Sequence, residues 1–180
     1  HYNIGDLRQV SVVYNPLYGN DESRAAFFVR HDFNTETQQN YEVTLVRPFA
    51  QINLGTTEAS LSPVQEGQTQ GYTIDVQQSE MTVKGLAATF DLVKGQGKDE
   101  SVPFTFNATP TPAKNGQTLA VNGSNYHYVA MNYLFAGSNA SVEYDIVTKL
   151  NGKVTAKINN TVDNVPLKEN YRTNIVGNLL

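Results

Sequence analysis

The residues of this chain that could do chemistry are few and widely spaced. Its three histidines are His1, His31 and His127, and no His-x-x-x-His or His-Glu-x-x-His pair is present to hold a zinc ion. His31-Asp32 could be half of an acid–base pair, although the solvated face of a strand end is the favoured interpretation. We therefore expect no catalytic residue, no metal site and no cofactor, and a protein that is not an enzyme.

The remaining candidates are carboxylates and tyrosines. Asp21-Glu22 and Asp99-Glu100 are adjacent in sequence, whereas a glycosidase needs two carboxylates across a cleft, so solvated loops are favoured. The chain has no cysteine, which excludes disulfides and thiolate sites. Tyr126, Tyr128 and Tyr133 could form a platform on which sugars stack. The favoured alternative is core packing with the hydroxyl groups at the rim.

Bulk properties exclude further classes of protein. The net charge is −4 and only 17% of the 180 residues are charged, which disfavours nucleic acid as a partner because that ligand requires a basic face. No apolar run approaches the length of a transmembrane helix, so we expect no membrane span.

Short alternating segments must position these residues. No segment has a convincing helical stripe, and about ten short strands with turns between them predict an all-β antiparallel sandwich with Greek-key character. We expect Tyr126–Phe135, apolar on both faces, to be a central strand, and residues 94–100 to be a loop.

One interior segment changes the phase of its alternation. Apolar residues fall on odd positions from Tyr41 to Leu45 and on even positions from Ala50 to Leu54. A one-residue slip at a proline predicts a β-bulge or a strand crossing between sheets, and we place the bulge within Arg47, Pro48 and Phe49.

A hairpin is expected around Asn151-Gly152. The apolar pattern favours a three-residue loop, Leu150-Asn151-Gly152, over the two-residue Asn-Gly turn. That register would pair residue 146 with 156 and residue 144 with 158, and would set Asp145 opposite Lys157.

The closing stretch, Val162 to Leu180, predicts a final half-buried strand. Tyr171, Thr173, Ile175 and Leu179 share one parity and are expected to face inward. The chain ends apolar on this strand, so we expect either that the strand has a partner or that the natural chain continues.

Three segments carry a family resemblance: Leu45–Asn53 (LVRPFAQIN), Tyr128–Phe135 (YVAMNYLF) and Val165–Leu179 (VPLKENYRTNIVGNL). In this order they resemble the fimbrillins of Bacteroidales, the subunits of type V pili, and most closely the fimbrillin-like proteins of gut Bacteroides. The resemblance covers about residues 24–180, and its closing segment is the most specific.

The resemblance implies an exported outer-membrane lipoprotein with two sandwich domains of transthyretin-like topology. In that family an arginine-specific protease removes an N-terminal strand, and the next subunit donates a strand to the groove. This chain lacks the lipidated cysteine and is shorter than a two-domain member, so no cleavage site or donor strand carries over. We expect residues 1–40 to be the remnant of a first domain and 41–180 to be a second sandwich, with 56–71 as the alternative boundary.

The expected function is that of a structural subunit of a cell-surface fimbria. It would assemble by donor-strand exchange with neighbouring pilus subunits and contribute to adhesion or colonisation, with host or bacterial surface receptors as further partners. The alternative is an extracellular carbohydrate-binding or adhesin module built on the same sandwich.

Overall fold

The computed structural model describes residues 1–13, 16–36, 40–62, 73–100, 103–136, 139–150, 153–154 and 158–180. The described strands are β1 (Tyr2–Asn3), β2 (Val10–Val12), β3 (Phe49–Thr56), β4 (Ile74–Lys84), β5 (Ala87–Asp91), β6 (Gln96–Glu100), β7 (Phe104–Pro110), β8 (Thr118–Val121), β9 (Ser124–Phe135), β10 (Asn139–Leu150), β11 (Lys153–Val154), β12 (Ile158–Pro166) and β13 (Arg172–Gly177). One short helix, α1 (Glu58–Leu61), and 3-10 turns at Glu22–Arg24 and Pro112–Asn115 lie between them.

These strands form three sheets. Their orders are β1-β2-β5-β6, β11-β10-β4-β7 and β13-β3-β9-β8, and β12 also pairs with β10. Every described pair of strands is antiparallel except β13 with β3, which is parallel. The protein is therefore an all-β sandwich, and the fold class expected from its alternation is confirmed.

The main core lies between the sheet that contains β3 and the sheet that contains β4. Alternate side chains of β3 and β9 meet those of β4, β7 and β10, as expected of a sandwich. The core includes Ala50, Ile52, Leu54, Val129, Leu134, Val76, Val83, Phe106, Val142 and Ile146. Burying this apolar surface is the main force that holds the two layers together.

A second apolar cluster covers the opposite face of the β3 sheet. Phe49 and Phe135 stack with ring centroids 5.2 Å apart, and Phe90 of β5 stacks on Phe135 at 5.5 Å. Tyr2 from the N-terminal segment stacks on Phe49 at 5.3 Å. Strand β3 is consequently buried along its whole length, and β9 is central, as its sequence predicted.

A register shift in β9 decides which of its side chains share a face. Leu54 pairs with Ala130 and Gly55 pairs with Tyr128, so Val129 is an extra residue, which is a β-bulge. The Ser79 hydroxyl donates to the Val129 carbonyl at 2.7 Å and satisfies this displaced group.

The bulge predicted within Arg47, Pro48 and Phe49 is wrong. Strand β3 begins at Phe49, and its only described register shift against β9 lies between Leu54 and Gly55. Before the proline, Val46 forms an isolated bridge with Phe28. The two alternating runs therefore belong to different parts of the fold. The run before the proline pairs with the segment around Phe28, the run after it forms β3, and the phase changes between them.

The predicted hairpin register is also wrong. Leu150 pairs with Lys153, which is the register that the apolar pattern disfavoured, and residues 151–152 lie outside the described part. Further along, Ile146 pairs with Ile158, and Asp145 pairs with Asn159, whose side-chain amide donates to its carboxylate at 2.7 Å.

Two other expectations concern larger segments. Residues 96–100, expected in a loop, form β6. The division into residues 1–40 and 41–180 stays a prediction. Pairing of Val10 with Phe90 joins the two predicted parts in one sheet.

Candidate functional site

The last strand, β13, lies at an edge of its sheet and runs parallel to β3. The Gln51 N–H donates to the Tyr171 carbonyl at 2.9 Å, and the Thr57 N–H donates to the Gly177 carbonyl at 3.0 Å. In a parallel ladder alternate residues make both bonds to the same neighbour. The N–H and C=O groups of the even-numbered residues, 172, 174 and 176, therefore point away from β3 toward the open side.

Within the described part of the chain, no strand pairs with this outer side of β13. Several other sheet edges are less suited to accept a strand. Strands β1 and β8 are two and four residues long, β12 contains the left-handed Asn164, and the N–H of Asn107 in β7 already bonds the Leu17 carbonyl. Edge strands are usually blunted by charge, proline or bulges, whereas β13 carries only Arg172 as a charged residue.

A row of buried polar side chains connects β13 to the centre of its sheet. The Asn53 Oδ1 accepts from Gln51 Nε2 at 3.1 Å and from the Tyr128 hydroxyl at 2.7 Å, and Asn53 Nδ2 donates to Asn174 Oδ1 at 2.8 Å. Asn53 is 1% exposed. Buried polar groups are costly unless they are bonded, and a slip of one residue would move Asn174 to the other face. The row therefore specifies the register of β13.

Two further asparagines hold the chain on either side of β13. The Arg47 N–H donates to Asn170 Oδ1 at 3.4 Å. After the strand, the hydroxyl groups of Thr57 and Ser60 donate to Asn178 Oδ1 at 2.6 and 3.1 Å. The strand is thus held by side chains before its start, at its centre and after its end.

Four residues of the closing stretch were expected to face inward. Leu179 is buried in the main core, and Ile175 is half-buried against it. Thr173 is half-buried and donates to the Pro166 carbonyl at 2.6 Å. The expectation is wrong for Tyr171, which precedes β13, is 57% exposed and lies under the Lys168 ammonium group.

The three candidate tyrosines lie on one face of β9 because of the bulge. Parity alone would put Tyr133 on the other face of β9 from Tyr126 and Tyr128, but all three belong to the cluster around Phe49. Tyr128 and Tyr133 are 8% and 6% exposed, and the Tyr133 hydroxyl donates to Glu22 Oε2 at 2.8 Å. The ring faces of Tyr128 and Tyr133 are therefore not presented to a sugar.

The titration behaviour of these tyrosines suits a structural role. Burial raises the pKa of Tyr133 to about 12, and its hydrogen bond to Glu22 acts in the same direction. Burial also raises the pKa of Tyr128 well above its ordinary value. Both hydroxyl groups stay protonated near neutral pH and act as hydrogen-bond donors. Among the described residues, no group of three histidine or acidic side chains could hold a metal ion.

Sequence reasoning missed a second surface, which we call the arm face. It comprises Phe27, Val29, His31, Phe33, Tyr41, Val43, Leu45 and Arg47, the odd-numbered side chains of segments 26–33 and 41–47. The signal was present in the shared parity of the apolar residues. Alternation identifies a face, however, and does not say whether that face is covered.

Comparisons with known proteins support a family but no activity. The protein is an all-β sandwich, and all of its residues, 1–180, match the family described as "Family of unknown function (DUF6562)". The chain belongs to this family. A comparison with curated proteins finds no match. In the described part of the chain, no helix is long and apolar enough to cross a membrane.

Among solved structures, the chain is similar to a Bacteroides fragilis protein described as a "putative cell adhesion protein". The identity is 15% and the TM-score is 0.38, over 73% of this chain and 41% of that protein. The chain thus spans less than half the length of that protein.

Proposed function

We propose that this protein is a structural subunit of a cell-surface fimbria or pilus that assembles by strand addition. The observation that carries the proposal is the open side of β13, where three residues direct their backbone N–H and C=O groups outward. The partner is a neighbouring subunit, and the role of the assembly is adhesion or colonisation.

Strand addition fits this edge for physical reasons. An added strand gains affinity from main-chain hydrogen bonds, and alternate side chains give specificity. The asparagine contacts hold β13 in one register, so its outward groups form a fixed template. Docking a strand on a template that is already ordered avoids part of the entropy cost of association.

The resemblance of three segments to fimbrillins supports the same proposal. The last of them, Val165–Leu179, contains the whole of β13. Under this proposal the protein is exported and lies outside the cell as part of an outer-membrane assembly. Host or bacterial surface receptors would be contacted by the fibre.

The test is a proline on the outer side of β13. Arg172→Pro removes an N–H that does not bond β3, and proline is tolerated where the missing N–H faces solvent on an edge strand. Arg172→Ala is the matched control, because it removes the same side chain and keeps the N–H.

We expect the full-length protein and Arg172→Ala to form filaments in electron microscopy and heat-resistant ladders on denaturing gels. Arg172→Pro should form neither while its melting temperature stays close to that of Arg172→Ala. Normal filaments from Arg172→Pro would contradict β13 as the assembly edge. A full-length protein that stays monomeric, also after arginine-specific proteolysis, would refute the proposed function.

A further inference from the structure

The arm face lies on segments 26–33 and 41–47, which one isolated antiparallel bridge joins and which we call the ribbon. Phe28 and Val46 exchange both backbone hydrogen bonds, at 2.9 and 3.0 Å, which sets residue 27 opposite 47 and residue 33 opposite 41. Side-chain contacts agree with this register. The Arg47 guanidinium lies 4.8 Å from the Phe27 ring centroid, and the rings of Phe33 and Tyr41 are 5.8 Å apart.

The two faces of this ribbon differ in the residues that they carry. On the even side, Phe28 packs edge-on against Phe90 at 5.2 Å and attaches the ribbon to the protein. On the arm face, five large apolar side chains remain exposed: Phe27 53%, Val29 40%, Phe33 66%, Val43 43% and Leu45 56%. A contiguous apolar patch on a soluble protein usually marks an interaction site.

The distribution of charge along the arm face is asymmetric. Its base carries the cation, Arg47, above Phe27. Its tip carries aromatic rings, with His31 packed on Tyr41 at 4.9 Å. None of the eight residues is acidic, and the acidic residues of the same segments, Asp32 and Glu42, have even numbers and so belong to the other side.

We propose that the arm face binds the arm face of a second copy of this chain, base on tip, around a two-fold axis. In this arrangement Arg47 of each copy lies over the tip ring Tyr41 of the other, where a cation is attracted to the ring face. Phe27 packs on Phe33, and the aliphatic residues between them pack on one another. Stacking base on base would instead bring two Arg47 side chains together.

The area suits a weak dimer. If a Phe side chain has roughly 150–250 Å² and about half is exposed, the five apolar residues present on the order of 450 Å² per copy. Two copies then bury on the order of 1,000 Å², near the lower limit of specific interfaces. The contact is isologous and closes on itself, so it pairs subunits without extending a filament.

The first test is the oligomeric state by sedimentation velocity over a range of concentrations, with Arg172→Pro in every chain so that filaments do not obscure the dimer. We expect a reversible dimer, weakened about tenfold or more by Leu45→Gln, since truncating a central apolar contact removes much of the binding energy. Ile4→Gln is the matched control, because Ile4 is an aliphatic residue of similar exposure, at 63%. A chain that is monomeric at all concentrations, or a dimer that Leu45→Gln leaves intact, overturns the proposal.

The second test uses the absence of cysteine from the chain. A mixture of Phe27→Cys and Phe33→Cys chains should form a disulfide-linked dimer under mild oxidation, well above the yield of either variant alone or of Ile4→Cys. Crosslinking of each variant with itself, and not in the mixture, overturns the base-on-tip arrangement. Binding of a monomeric chain to lipid vesicles that is lost in Leu45→Gln would assign the arm face to a membrane surface instead.

This inference does not depend on the proposed function. The dimer does not use the outer side of β13, so Arg172→Pro should dimerise normally even where it fails to form filaments. Conversely, Leu45→Gln should lose the dimer and keep the filaments, which would show that the arm-face contact and the β13 contact are independent.

Discussion

Asn53 should be the most costly polar side chain of the β3 sheet to remove. Its side chain accepts hydrogen bonds from Gln51 and Tyr128 and donates one to Asn174, with all three distances between 2.7 and 3.1 Å. The perturbation is Asn53→Leu, which keeps a side chain of similar size at a position that is 1% exposed. Two buried donors then lose their acceptor, and β13 loses its central side-chain contact.

The magnitude follows from the number of groups left without a partner. Each buried donor without an acceptor costs about 1–3 kcal/mol, and the added apolar surface of leucine offsets part of this. We expect Asn53→Leu to lower the free energy of unfolding by about 2–4 kcal/mol. For a chain of this size, this corresponds to a melting temperature lower by about 4–16 °C.

Tyr128→Phe is the matched partial change. It removes one donor and leaves Asn53 bonded to Gln51, so it should cost about 1 kcal/mol. The double variant Asn53→Leu/Tyr128→Phe lacks the hydroxyl group that Asn53→Leu alone leaves without an acceptor. The double variant should therefore be less destabilised than the sum of the single variants, with a coupling of about 1 kcal/mol.

The assay is urea denaturation followed by circular dichroism, because the chain contains no tryptophan. Hydrogen exchange should also show that Asn53→Leu lowers the protection of β13 amides more than that of β4 amides. A cost below about 0.5 kcal/mol for Asn53→Leu, or strict additivity in the double variant, would refute the view that this row is a coupled network.

Three further changes probe the rest of the fold. Ser79→Ala should cost about 1–3 kcal/mol in urea denaturation because the bulged carbonyl of Val129 loses its donor; an unchanged midpoint would show that the bulge needs no such support. Gly97→Ala should cost about 1–3 kcal/mol by the same assay, since its Cβ would meet the Ala136 carbonyl oxygen at 2.6 Å; wild-type stability would mean that the strand shifts freely. Burial lowers the pKa of His127 below its ordinary value, so the folded state favours the neutral ring. The unfolded chain then takes up this proton more readily than the folded one, and the free energy of unfolding decreases as pH falls below about 6.5. His127→Gln should therefore show a shallower fall in melting temperature between about pH 7 and pH 5, and parallel curves would exclude this residue as the cause.

Much of the secondary structure could be predicted from local patterns. Alternation predicted the strand that became β13 and the inward positions of Ile175 and Leu179, and a run apolar on both faces predicted the central β9. These predictions succeeded because a half-buried strand needs apolar residues at every second position, and a strand covered on both faces needs them at every position.

The same patterns could not predict the register between neighbouring strands. The bulge was expected near Pro48, but the described register shift lies at Val129 in the partner strand. The turn after Leu150 has the pairing that the apolar pattern disfavoured. The first prediction took a change of pairing along the chain for a bulge within one strand. The second inferred the pairing of two strands from the parity of their apolar residues, and a single extra residue reverses that parity.

The sequence by itself determined that the chain would form a β-sandwich, because period-two alternation leaves few other ways to bury its apolar residues. Only the tertiary structure decided which faces are covered. It put the tyrosines of β9 on one buried face through a bulge and left the arm face exposed. It also gave β13 a parallel neighbour and an open outer side. The physical reason is that alternation is a property of one strand, whereas coverage depends on which distant segments pack on it.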